Sequence, residues 1–105
     1  MTGQQQEVVS MAEFLVHIRV QRPAGVDDQD WHATLADEAR VGADYRRRGV
    51  ITRIWRLPGT TSNVGVWAAA DATELHELLS ALPAFPYMTI QVDALASHYL
   101  EEEAA

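Results

Sequence analysis

Glu38 is the residue whose setting most invites chemistry. Trp31, Leu35, Gly42 and Tyr45 recur at spacings of four, seven and three, which places them on one stripe of a helix. Glu38 falls on that stripe too, three residues after Leu35 and four before Gly42. At roughly 100° per residue it points close to the stripe's centre. A carboxylate there is stripped of water unless a partner or a cavity reaches it. Desolvation raises its pKa towards the range of a useful general base. Two structural alternatives stand beside this reading: a buried ion pair with an arginine, or a helix twist that returns Glu38 to water. Asp37 faces the other way, as a solvated surface residue.

A second set of polar residues could bind rather than react. His17 and Arg19 share the strand face opposite Phe14, Val16 and Ile18. They face either a ligand on the open side of a sheet or an acidic residue across a subunit contact. Arg53 and Arg56 lie on opposite faces of a later strand, so by simple alternation at most one can share a pocket with Trp55. An arginine near a carboxylate-binding site clamps an acidic substrate, whereas elsewhere it is a surface charge. His76 flanks a leucine stripe, and His32 and His98 are isolated. The four histidines show no i, i+4 pair and no H-x-E arrangement, so no metal site is expected. There is no glycine-rich phosphate loop, no G-x-S-x-G and no nucleotide fingerprint.

Composition narrows the classes further. The chain has 105 residues, enough for one domain, and no cysteine, which removes disulfides, thiolate nucleophiles and zinc–thiolate sites. Eight arginines and no lysine oppose fifteen acids, for a net charge of −7. That balance argues against a generic nucleic-acid binder. No apolar run approaches the ~18 residues of a membrane helix. The N-terminus has no basic-then-apolar signal pattern. The expected compartment is the cytoplasm.

The elements that must position these residues follow from periodicity. Residues 1–12 read as a flexible leader, with Met11 as a second start. Residues 13–98 read as the domain, and 99–105 as a solvated acidic tail. Alternation from Phe14 to Gln21 predicts a strand ended by Pro23-Ala24-Gly25. Asp27 to Arg48 predicts a long helix, with acids at its start, arginines at its end, and Gly49 as the stop. Val50 to Leu57 and Asn63 to Ala69 predict two strands around a Pro58–Ser62 loop. Asp71 and Glu74 open a second helix with a Leu75, Leu78, Leu79, Leu82 stripe, stopped by Pro83. Tyr87 to Val92 predicts a fourth strand. The order β-α-β-β-α-β points to an α+β, ferredoxin-like sandwich, with an antiparallel four-stranded sheet and both helices on one face. The other face would be left bare. Leu15, Trp55 or Trp67 on that side would drive burial against another subunit, so a homo-oligomer is expected.

The chain resembles the muconolactone Δ-isomerase family from Phe14 to about His98. Leu82-Pro83-Ala84-Phe85-Pro86-Tyr87-Met88, then Ile90, Val92-Asp93 and Leu95, is similar to the family's L-P-x-F-P-Y-M-x-I-x-V-D-x-L signature. Ala36-Asp37-Glu38 matches its A-D-E. Gly49, Trp55-Arg56, Gly59 and Asn63 match the block around the second and third strands, and Leu75-His76 matches the second helix. The resemblance implies a ferredoxin-like subunit, dimers that build a decamer, and an isomerase without cofactor. It implies a double-bond shift in a small unsaturated lactone carrying a carboxylate, in catechol breakdown through the 3-oxoadipate route.

By the same resemblance Glu38 is the general base, and Asn63 donates a hydrogen bond to the charged carbonyl oxygen. Arg56, Trp55, His17, Arg19 and Tyr87 are the candidate substrate-binding residues, Tyr87 also having a structural reading as an aromatic at the strand entry. Three departures stand out. Thr60-Thr61 replaces the His-Tyr pair that follows Gly59 in the family, Ile51 replaces a tryptophan, and His17 stands where the family has an arginine. A related lactone or enone is therefore an expected substrate beside muconolactone. Two other classes compete: a cofactor-free oxygenase or cyclase with Trp31, Trp55 and Trp67 lining an apolar pocket, and a non-catalytic ligand-binding protein on the same scaffold.

Overall fold

The computed structural model describes residues 10–103. Most of the expected leader and the last two residues of the expected tail lie outside the described residues. Seven elements bear on the site: β1 (Ala12–Val20), α1 (Asp28–Arg47), β2 (Ile51–Arg56), β3 (Asn63–Ala69), α2 (Ala72–Ser80), β4 (Met88–Leu95) and a short C-terminal α3 (Tyr99–Glu103). The strands form one antiparallel sheet in the order β2-β3-β1-β4. This is the ferredoxin-like arrangement. Both long helices cover one face, since Tyr45 of α1 and Leu75 and Leu79 of α2 join Phe14, Val16, Ile18 and Trp67 in a single core.

Local chemistry sets the element ends. The Asp27 side chain accepts from the Asp30 backbone N–H at 2.8 Å and starts α1. Gly49 takes φ +80° just beyond the helix, a conformation that favours glycine. Asp71 accepts from the Glu74 N–H at 2.8 Å, and the Glu74 carboxylate reaches back to the Ala70 N–H at 2.6 Å. The capping box is thus shifted by one residue.

Two expectations about the last strand change. β4 runs on to Leu95, because it stays paired with β1 as far as Glu13↔Leu95. Tyr87 precedes that strand and sits in a 3-10 turn, Phe85–Tyr87. Residues 99–103 of the expected acidic tail wind into the short helix α3, with Tyr99 and Leu100 exposed.

The two sheet faces differ sharply. Trp67 is 1% exposed and packs edge-on against Tyr45, with ring centroids 5.7 Å apart. It therefore belongs to the helix-covered core and not to the bare face. The bare face carries Leu15, Val64, Val66 and Trp55, following the registers Leu15↔Val66 and Trp55↔Val64. A register shift between Ile51 and Arg53 sets the phase of β2. Ile51 thereby pairs with Trp67 on the core side, while Arg53 and Trp55 go to the bare side and Arg56 returns to the helix side beside Asn63.

Candidate active site

A cleft of about 500 Å³ opens between the first turns of α1 and the ends of β1, β3 and β4. Ile18, Val20, Trp31, Leu35 and Met88 give it apolar walls. Arg22, Glu38, Arg56, Thr61 and Asn63 supply its polar groups. Leu35 lies on the predicted apolar stripe yet is 38% exposed, because the stripe faces the cleft there instead of the packed core. Further along the same helix the stripe does close onto the core, where Tyr45 is 4% exposed.

Glu38 is half-buried in this cleft. Neither structural alternative for it holds: it meets no arginine among the ion pairs of the described residues, and it is not returned to open water. Its Oε1 accepts a hydrogen bond of 2.9 Å from the Ala84 backbone N–H. The reason lies in the Leu82–Tyr87 segment. Pro83 and Pro86 have no N–H. The N–H groups of Phe85 and Tyr87 are used within the turn, on Leu82 O and Ala84 O. Ala84 is fully buried, so its N–H needs an acceptor, and Glu38 is that acceptor. Burial pushes the Glu38 pKa above the ordinary 4.5, and the Ala84 N–H opposes the shift. One carboxylate oxygen is held by the backbone, and the side chain lines the cleft.

Asn63 opens β3 at the cleft, with its Oδ1 buried and without a partner among the described residues. Arg56 pairs in register with Asn63 and so reaches the same side. Its Nη1 donates to the carbonyl oxygens of Thr61 and Ser62, which ties down the β2–β3 loop. That loop also turns through Gly59 at φ +79°. Tyr87 lies outside the cleft. It packs edge-on against Trp31 at 5.6 Å between centroids and buttresses the wall.

A sequence model of muconolactone delta-isomerase matches residues 12–101. The muconolactone delta-isomerase of Rhodococcus opacus is 38% identical over 88 residues, spanning 84% of this chain and 95% of that protein. The Pseudomonas aeruginosa enzyme of the same name is 32% identical over 85 residues, spanning 81% and 88%. A crystal structure of muconolactone isomerase superposes with a TM-score of 0.77 at 34% identity, over 82% of this chain and 90% of that one. The chain belongs to the muconolactone delta-isomerase family. It is thereby an isomerase of the class that moves a carbon–carbon double bond within one molecule.

Of the residues expected at the site, the structure brings Glu38, Asn63 and Arg56 to one cleft. It does not bring His17, Arg19 or Trp55 there. His17 and Arg19 alternate away from Val16 and Ile18 onto the bare face, opposite Gln91 and Thr89. Arg19 donates to the Gln21 side chain, and the Arg53 guanidinium lies over the Trp55 ring at 4.7 Å. His17 Nε2 is buried without a partner on that face. The expectation of three tryptophans around one pocket also fails. Only Trp31 lines the cleft, because Trp67 is core and Trp55 belongs to the bare face.

Two contributors escaped the sequence. Arg22 lies past the end of β1, beyond any period that could aim it. The Ala84 N–H is a backbone group 46 residues from Glu38, and its only trace is the pair of prolines around it. The family departures separate physically. Thr61 lines the cleft, whereas Ile51 is 4% exposed in the core and His17 lies on the bare face.

Proposed function

We propose that this protein isomerises muconolactone or a closely related carboxylated lactone or enone by proton transfer through Glu38, with no cofactor. The observation that carries the reading is the setting of Glu38: half-buried, its proton affinity raised, one oxygen held by Ala84 N–H and the side chain lining an apolar cleft. A carboxylate of raised proton affinity suits abstraction of a weakly acidic C–H.

In the proposed reaction Glu38 removes a proton from the ring carbon conjugated with the lactone carbonyl. The electron pair spreads into a dienolate, and negative charge gathers on the carbonyl oxygen. The Asn63 amide is the cleft group fit to donate a hydrogen bond to that oxygen. The protonated Glu38 then returns the proton at the far end of the conjugated system. Atoms balance without water or a co-reactant. Ile18, Val20, Trp31 and Met88 exclude water and keep the charge stabilisation strong. The small Thr61 side chain on the cleft wall supports acceptance of a ring bearing an additional substituent. This activity is placed in the breakdown of catechol through the 3-oxoadipate route.

The working form is proposed to be a homo-oligomer of dimers. The bare sheet face presents Leu15, Val64, Val66 and Trp55 without a helix among the described residues to cover them, and Trp55 is 45% exposed. Exposed Val92, Leu95, Tyr99 and Leu100 add a second apolar area along the C-terminal edge. No helix among the described residues is long and apolar enough to cross a membrane.

Incubation with muconolactone, followed by proton NMR in D₂O, tests the reading. A product with the double bond moved is expected, with the substrate's own proton delivered by Glu38 to the receiving carbon and little deuterium there. Binding without turnover would favour the non-catalytic class. Oxygen uptake with a phenolic substrate would favour the oxygenase class.

A further inference from the structure

The chain has eight arginines, and the cleft contains two of them. Arg56 is committed to the loop carbonyls of Thr61 and Ser62. Arg22 is placed differently. Its Nε and Nη2 both donate to the Val26 carbonyl oxygen, at 3.1 and 2.6 Å, which fixes the direction of the guanidinium. Its Nη1 meets Asp28 Oδ1 at 2.6 Å. A carboxylate therefore already sits on this arginine. Asp28 is 81% exposed, and such pairs between exposed side chains hold weakly.

Arg22 also lies at a junction. It lines the apolar cleft with Glu38 and, together with Met88, a shallower polar depression bordered by Gln21, Tyr87 and Thr89. A ligand with an apolar ring in the cleft and a charged arm towards water would put that arm at Arg22.

We propose that Arg22 is the anchor for the substrate's carboxylate, and that Asp28 is an internal carboxylate which the substrate displaces. This inference rests on the lactone reading above, because it assumes a ring in the cleft and an anionic arm. Displacement leaves Arg22 held by Val26 and exchanges one carboxylate for another. The charge balance of the site is kept, while Asp28 turns into water near the start of α1, where negative charge is favourable. The device selects acids: a neutral lactone gains nothing at Arg22 and leaves the Arg22–Asp28 pair intact.

Two measurements test it. The first is turnover of a carboxylated butenolide and of its methyl ester. Arg22→Gln should raise KM for the acid about ten- to a hundredfold, the effect of losing a charged hydrogen-bonded pair, and leave KM for the ester within about twofold. Asp28→Asn should lower KM for the acid about two- to fivefold by removing the competitor. Arg56→Gln should raise KM for acid and ester together.

The second measurement is calorimetric binding of the saturated lactone with an acetate side chain, which cannot react. Wild type should bind it, Arg22→Gln should lose that binding, and Asp28→Asn should strengthen it. Failure of turnover with this binding pattern intact would count against the isomerase reading and for the anchor. Unchanged acid affinity in Arg22→Gln, or no binding of the saturated acid by wild type, would overturn the anchor. Circular dichroism spectra matching wild type keep these comparisons valid.

Discussion

Replacing Glu38 by glutamine and by alanine separates its two jobs. Glutamine keeps an oxygen acceptor for the Ala84 N–H at the 2.9 Å position but has no basic electron pair for carbon acid chemistry. General-base catalysis contributes about 10²–10⁴-fold, so kcat should fall by that factor, equivalent to about 3–5 kcal/mol of barrier. Stability should move the other way. Burial disfavours the ionised carboxylate in the folded chain, so a neutral amide removes a desolvation cost at neutral pH. Glu38→Gln should therefore melt at the wild-type temperature or slightly above it.

Alanine removes the acceptor as well. The Ala84 N–H is then left unpaired in a fully buried position, which costs about 1–3 kcal/mol. A domain of this size loses about 4–8 °C in Tm per kcal/mol. Calorimetric melting at pH 7.5 and lactone turnover, run on both variants, give the comparison. An active Glu38→Gln would refute the base. Equal melting temperatures for the glutamine and alanine variants would refute the structural role of the Glu38–Ala84 bond.

Other outcomes follow from the same geometry. kcat/KM should fall on acidification through the raised Glu38 pKa, starting above pH 4.5, and this limb should disappear in any Glu38 variant that retains measurable turnover. The stability contribution of Glu38 has the opposite sense: as pH rises through the window from 4.5 to its raised value, the unfolded chain ionises first, so stability declines, and urea titrations of wild type against Glu38→Gln should show it. Tyr45→Phe should cost about 0.5–1.5 kcal/mol in urea unfolding, because the Tyr45 hydroxyl donates to the Leu78 carbonyl at 2.8 Å and ties α1 to α2. Gly65→Ala should cost about 1–3 kcal/mol, since the new Cβ would stand 2.9 Å from the Arg53 carbonyl oxygen across the β2–β3 pair, and unchanged stability would show that β2 can yield there.

Much of the framework is legible from local patterns. The strand β3 has the bounds its alternation predicts, and α1 lies within one residue of the expected span at each end, because caps and hydrophobic periods are short-range properties. The anomaly of Glu38 is equally local, since only its own helix is needed to see an acid on an apolar stripe. The family pattern adds Asn63 and Arg56, which do meet Glu38 at one cleft.

What the chain alone determined is therefore the set of elements, their order and the one acid out of place. Only the tertiary structure decided which residues share a cleft. Alternation separates the neighbours Trp55 and Arg56, but the shift in register within β2 decides that Trp55 takes the bare face and Arg56 the cleft. The partner of Glu38 is a backbone N–H on a proline-flanked turn, and no side-chain pattern announces it. Arg22 reaches the cleft from beyond the end of β1, where no period operates and the path of the loop sets the direction. Periodicity fixes which way a side chain leaves its own element, but a site is a meeting of several elements, and that depends on register, bulges and turns.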